Sequence, residues 1–274
     1  MWLATNSGPF ELISLRVENP TLSGLRVLHI SDLHFAPGQK RKAAFLKQLA
    51  ELGPDLVINT GDSLGHKDAI SSALQALEPL MDIPGVFVHG SNDYRAPKPK
   101  NPFAYLAAPS KVESPRNLDT KRFSAELEGH GWLNLNNRSG KLQLHGKRLG
   151  FLGLDDPHEN LDDLDSIAKQ KLEVSESEYL FGIAHAPYMR VIESFLAFEV
   201  GMMFAGHTHG GQVCLPQQKA LVTNCDLDRQ YARGLSAWGS DSEMMLHVSQ
   251  GVGHSIYAPL RLFCPPAATL IEFV

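Results

Sequence analysis

The first half of the chain alternates between two hydrophobic periods. Residues 25–30, Leu-Arg-Val-Leu-His-Ile, are a short, β-branched, apolar run that predicts a buried strand, and the run ends in Ser31-Asp32-Leu33-His34. Over 40–52 the period changes: Phe45, Leu46, Leu49 and Leu52 recur at helical spacing and stop at Gly53-Pro54. A second strand over 55–60 empties into Gly61-Asp62, and a second helix follows over 69–80. Pro84-Gly85 then turns the chain into a third strand over 86–89, which empties into Gly90-Ser91-Asn92-Asp93. Three strand–helix units thus leave polar residues at the strand's carboxyl end, where open α/β sheets build their sites. Asp32, Asp62 and Asn92 recur at about one βα unit, roughly 30 residues. A random scatter of polar residues would not follow the strand ends.

Residues 95–123 break the pattern. They are rich in proline (Pro97, Pro99, Pro102, Pro109, Pro115) and basic (Arg95, Lys98, Lys100, Lys111, Arg116, Lys121, Arg122) against only Glu113 and Asp119. This predicts a long loop with a short helix near 103–106, either a solvated surface or a basic arm leaning over a site for an anion. Alternation returns over 131–135, 142–144 and 148–154, read as strands of a second sheet with a hairpin turn at His145-Gly146-Lys147. Asp155-Asp156-Pro157-His158 reads as a turn. An acidic helix over 161–172 precedes a strand over 179–183 that delivers His185, and a helix over 188–198 precedes a strand over 201–205. That strand runs into Gly206-His207-Thr208-His209-Gly210-Gly211-Gln212, and further strands are predicted over 244–248 and 268–274. With no internal repeat and no long linker, 1–274 reads as one domain.

Composition narrows the class. At 274 residues, 43% hydrophobic and 20% charged, the chain can bury a large core, and global disorder is excluded. A net charge of -5 argues against blanket phosphate neutralisation, so sequence-specific nucleic-acid binding is not expected. Residues 1–22 are too polar for a signal peptide or anchor, and no apolar run reaches about 18 residues. Cys214, Cys225 and Cys264 are odd in number and widely spaced, which indicates neither a disulfide framework nor a thiolate zinc site. The expectation is a cytoplasmic protein, with room for peripheral contact at the inner face of the membrane.

The polar strand ends collect Asp32, His34, Asp62, Asn92, His185, His207 and His209. In an extended stretch alternate side chains point the same way, so His207 and His209 can face one cavity. Alone, that pair could equally be two solvated histidines in a polar turn; the upstream strand ends shift the balance. Oxygen and neutral-nitrogen donors without thiolates suit Mn, Fe or Zn and do not choose among them. Seven exceed what one tetrahedral ion needs, so two divalent ions sharing a carboxylate is the economical reading. His29 reads as a buried, hydrogen-bonded core histidine, and His66, His89 and His254 as supporting or packing groups. Arg261 could contact a phosphate or pair with a carboxylate.

The ordered set of Asp32-Leu33-His34, Gly61-Asp62, the Gly90–Asp93 block, His185 and Gly206-His207-Thr208-His209-Gly210-Gly211-Gln212 resembles the calcineurin-like metallophosphoesterase superfamily. The last string, with Pro259-Leu260-Arg261-Leu262-Phe263-Cys264-Pro265-Pro266, is similar to its branch of small bacterial phosphodiesterase-like proteins. The resemblance runs from about residue 25 to the end. It implies a four-layer α-β-β-α sandwich of two mixed sheets and a binuclear metal-dependent phosphoesterase. Such an enzyme opens a phosphodiester, phosphomonoester or pyrophosphate bond by attack of a hydroxide held between the ions, diester more readily than monoester. The substrate would be a phosphate-ester small molecule or a lipid-linked one. The resemblance puts Asp32, His34 and His209 on the first ion, Asp62 between the two, and Asn92, His185 and His207 on the second.

One block departs. Where the family has Gly-Asn-His followed by Asp or Glu, this chain has Gly90-Ser91-Asn92-Asp93. Aligned on the final Asp, Ser91 stands at the ligand position and Asn92 at that of the leaving-group acid; displaced by one, Asn92 keeps the metal and Asp93 follows. A carboxamide oxygen coordinates better than an un-ionised hydroxyl, which favours Asn92 as ligand. Asn92 and Asp93 are the expected catalytic residues, with Asp93, His158 or a metal-held water as substitute acid. The altered block also admits a scaffold of the same fold with weakened catalysis.

Overall fold

The computed structural model describes residues 3–5, 8–99, 115–241 and 243–274. Two six-stranded sheets dominate it. The first runs in the order Glu11–Val17, Ala267–Phe273, Arg26–Ile30, Leu56–Asn59, Gly85–Phe87 and Leu133–Asn134. Its last four strands are mutually parallel, while Ala267–Phe273 is antiparallel to Arg26–Ile30. The second runs Gly234–Trp238, Met244–Val248, Met202–Ala205, Tyr179–Ile183, Lys147–Gly153 and Arg138–Leu144, parallel in its four central strands and antiparallel at both edges.

Strand alternation sorts side chains into three cores. Val27, Leu56 and Ile58 of the first sheet meet Phe151, Phe181 and Phe204 of the second in a core between the sheets. The alternate residues Leu28, Ile30 and Val57 face the other way, onto Leu46 and Leu49 of the Lys40–Ala50 helix, Leu77 of Ile70–Met81 and Leu127 of Thr120–Gly129. Beyond the second sheet, Leu152, Met203 and Leu246 pack on Ile167 of the Leu164–Gln170 helix and on Val191 and Phe195 of Met189–Ala197. Helices, sheet, sheet and helices therefore stack as four layers, the arrangement the resemblance implied. His29 crosses the middle layer: its Nδ1 lies 2.8 Å from Nδ1 of His247 and its Nε2 2.9 Å from Thr60 Oγ1, the hydrogen-bonded core role expected of it.

Three expectations need correction. Leu133–Asn134 pairs with Gly85–Phe87 and so closes the first sheet, not the second. The basic segment is not loop throughout: Thr120–Gly129 is a helix that opens with the Asp119 side chain accepting from Arg122 N and buries Phe123 and Leu127 one turn apart. Glu11–Val17, in a stretch read only for signal-peptide character, is an edge strand beside Ala267–Phe273. The short helix expected near 103–106 falls outside the described residues. The hairpin at His145-Gly146 forms as read, both residues carrying the positive φ that a two-residue turn requires. Among the described residues, no helix is long and apolar enough to cross a membrane.

Candidate metal centre

The parallel strands of both sheets deliver their carboxyl ends to one place, and backbone hydrogen bonds lace those ends together. Asp32 N donates to Gly61 O at 2.8 Å, His34 N to Asp62 O at 2.9 Å, and Gly206 N to His185 O at 2.8 Å. Two glycines allow the approach. A Cβ on Gly90 would strike Asp62 Oδ1 and stand 2.7 Å from His185 Nε2, and one on Gly206 would meet Ser31 Oγ and Asp32 Oδ2. Five of the expected ligands hold left-handed backbone that side chains disfavour: Asp32 at φ 50°, His34 at 39°, Asp62 at 53°, His207 at 68° and His209 at 51°.

Two close groups of donor atoms result, Asp32 with His34 and His209, and Asp32 with Asp62 and His185, each with its atoms within 4.8 Å of one another. Asp62 Oδ2 stands 3.4 Å from His34 Nε2 and 3.6 Å from His185 Nε2, and Asp32 Oδ1 stands 3.7 Å from His209 Nε2. His207 lies outside both groups but edge-on to His185, ring centroids 5.3 Å apart. Asn92 donates from its backbone N to Asp62 Oδ1 at 2.8 Å and from Nδ2 to Asp62 Oδ2 at 2.7 Å. In this arrangement the amide nitrogen, not the oxygen, faces the centre. Five of the seven residues therefore fall in the two close groups, His207 stands beside one of them, and Asn92 reaches Asp62 through its amide edge.

The rings are oriented from outside. Nδ1 of His185 donates to Thr60 O at 2.7 Å, turning Nε2 inward, and Nε2 of His207 is turned outward to Asn224, 3.1 Å from its O and 3.3 Å from its Nδ2, which leaves Nδ1 toward the centre. Asp32 Oδ1, both nitrogens of His34 and Nε2 of His185 are buried without a hydrogen-bond partner. Buried polar atoms are nearly always paired, so converging carboxylate and imidazole lone pairs left in this state fit divalent cations.

The charges agree. Burial pushes His34 down to about 3 and carries His207 and His209 well below the ordinary range, so these rings are neutral donors at neutral pH. Burial and the nearby Asp62 lift Asp32 to about 6. On His185, burial acts downward, but the Asp62, Asp32 and Asp156 carboxylates overcome it and hold the ring up at about 9. A ring protonated below about pH 9 must lose its proton to ligate, so ion uptake near neutral pH is expected to release a proton, with affinity rising as pH climbs toward 9. An indicator dye in weakly buffered, metal-free protein reads this directly; proton-neutral uptake of Mn²⁺ would contradict it.

Asp93 has a different occupation from the expected one. Its Oδ1 accepts from Ser63 N at 2.8 Å and Leu64 N at 3.1 Å and its Oδ2 from Gly90 N at 3.0 Å, so both oxygens brace the loops around Asp62. Among the described residues Arg261 pairs with no carboxylate: fully buried, it donates to Gln250 O at 2.6 Å, and its Nη2 lies 3.1 Å from His209 Nδ1, behind that ring. Its place after a proline and a leucine gave no sign of this. Ser31 went unnoticed next to a ligand; its hydroxyl donates to Asp32 Oδ2 at 2.6 Å. Cys214 and Cys264, unrelated in sequence, both lie on Gly210 O, at 3.2 and 3.5 Å. In the described part of the basic segment, Arg95 is held by Glu159 at 2.7 and 2.6 Å, and Arg116 lies 4.9 Å from the Tyr94 ring centre.

Two face-to-face mixed sheets that empty buried carboxylates and imidazoles into one pocket define a metallo-dependent phosphatase type of α/β protein. The chain belongs to the calcineurin-like phosphoesterase family, whose model matches residues 25–211. It is similar to the uncharacterized metallophosphoesterase YkoQ of Bacillus subtilis (strain 168), 24% identical over 243 residues that cover 86% of this chain and 79% of the relative. It is also similar to the UDP-2,3-diacylglucosamine pyrophosphatase LpxG of Chlamydia muridarum, 26% identical over 92% of this chain and 84% of the relative. The fold matches the crystal structure of TT1561 of Thermus thermophilus with a TM-score of 0.50 and 12% identity, over 84% of this chain and 90% of that one. Family and site together make the chain a metal-dependent hydrolase of phosphoesters.

Proposed function

We propose that this chain is a binuclear enzyme that opens a phosphodiester or pyrophosphate bond, phosphomonoesters being poorer substrates, with 1–274 working as one unit. The observation that carries the reading is the position of one oxygen, Asp62 Oδ2, between His34 Nε2 and His185 Nε2, imidazoles of two different donor groups. Asp32 is the carboxylate common to both groups, but the oxygen that faces an imidazole of each is Asp62 Oδ2, which makes Asp62 the bridge in this reading. Asp32, His34 and His209 would hold the first ion, and His185, His207 and Asn92 the second, the Asn92 carboxamide turning over to present its oxygen in place of the Nδ2 that faces Asp62.

Two divalent ions of the Mn, Fe or Zn kind, when bound, would supply charge neutralisation on the phosphoryl oxygens and an activated water. The protein's own part is to orient. Thr60 and Asn224 orient the rings of His185 and His207, Arg261 backs His209, and Asp93 pins the loop carrying Ser91 and Asn92 to the loop carrying Asp62. For the substrate, the relative named a UDP-2,3-diacylglucosamine pyrophosphatase supports a phosphate ester or pyrophosphate with a lipid-linked group. Exposed Leu260, next to the Gln212 that follows the histidine loop, would suit an apolar tail or peripheral contact with a cytoplasmic membrane face.

The test is hydrolysis of bis(p-nitrophenyl) phosphate by protein of measured metal content. Chelation is expected to abolish turnover and Mn²⁺ to restore it. Protein that holds two ions yet turns over no phosphate ester, diester or pyrophosphate would overturn the reading in favour of a scaffold.

A further inference from the structure

Asp156 reads in sequence as a turn former, and one of its oxygens does that work: Oδ1 accepts from His158 N at 2.9 Å. The turn it caps carries the His158 ring to 4.5 Å, centre to centre, from His207. A turn former has no need to be buried, yet Asp156 is 0% exposed and its second oxygen, Oδ2, has no hydrogen-bond partner. An unmatched carboxylate oxygen taken out of water is among the costliest arrangements a protein can hold.

The charges around Asp156 sharpen the point. Burial, with repulsion from Asp62 and Glu159, lifts its carboxyl to about 7, and His185 is the cation that opposes the rise. Arg95 also feels Asp156, but its guanidinium already forms a two-pronged pair with Glu159. Asp62, Asp32 and Asp156 thus all act on one imidazole, His185.

We infer that Asp156 is a further acidic residue of the second cation site, its free Oδ2 helping to retain the ion that His185 and Asp62 hold. This rests on the metal-dependent reading above. Asp156 stands outside the two close donor groups, so what it brings is charge in a dry pocket rather than a direct bond.

The experiment counts ions. Metal-free protein is titrated with Mn²⁺ by calorimetry and, after desalting, bound metal is measured by mass spectrometry. Wild type is expected to take up two ions. Asp156→Asn should keep the first and bind the second about 10–100-fold more weakly, the scale of losing an outer partner of a metal site. Asp156→Ser, which can still cap the turn, should behave alike and guards against a folding defect in the first variant; melting curves check both. Two ions held with wild-type affinity by both variants would overturn the inference and leave the enzyme reading standing, as would loss of both ions together, which would make Asp156 a support of the whole pocket. A wild type that takes up no ion would sink both.

Discussion

Asp62→Asn is expected to reduce kcat/KM by about 10³-fold or more, at or above the upper end of what removing one preorganised electrostatic group costs, and to lower the metal content of the purified protein. The substitution keeps the size of the side chain and removes its charge. That charge is the one nearest both His34 Nε2 and His185 Nε2, and it also receives two hydrogen bonds from Asn92. Without it the two imidazoles lose the carboxylate proposed to link them, while three cores built from other residues leave the fold intact. Kinetics and metal analysis on the same preparation decide the matter. A variant with wild-type metal content and less than a tenfold loss of rate would show that Asp62 is not the shared group.

The second large effect concerns the leaving group. The resemblance expects a histidine to protonate the departing oxygen, and this chain has Asn92, whose side chain has no proton to give and donates to Asp62. Asp93 does not replace it, because both its oxygens are taken by backbone donors. General acid catalysis is typically worth about 10²–10⁴ in rate, and an enzyme without it should lose most of that where the leaving group is a poor one. An aryl phosphodiester is therefore expected to be cleaved at least about tenfold faster than an alkyl diester of similar size, relative to an acid-equipped member of the family. Equal rates on the two would mean that another proton donor reaches the site.

What the sequence made legible follows from how local each signal is. Strand-to-polar transitions at Asp32, Asp62, His185 and His207 are local, and every one of them proved to be a strand end at the centre. Sheet membership is not local: Leu133–Asn134 carries the apolar pattern of a strand, but nothing in it says which sheet has the open edge. The Thr120–Gly129 helix was hidden by its charges, although Asp119 followed by Phe123 and Leu127 at helical spacing was a readable start signal. Glu11–Val17 alternates well enough to read as a strand, but its partner Ala267–Phe273 lies at the other end of the chain, so pairing has no local signal. Asp156 and Arg261 could not be placed at all, since burial of a charged side chain depends on which distant loops close over it.

The left-handed backbone at Asp32, His34, Asp62, His207 and His209 has a consequence for anyone who would improve this protein. Each such position holds a conformation that costs on the order of 1–3 kcal/mol, and glycine would adopt it freely. Selection for heat resistance alone would therefore reward chains that trade a ligand for a glycine, enriching sturdier molecules that do no chemistry. Directed evolution here has to be scored on turnover from its first round.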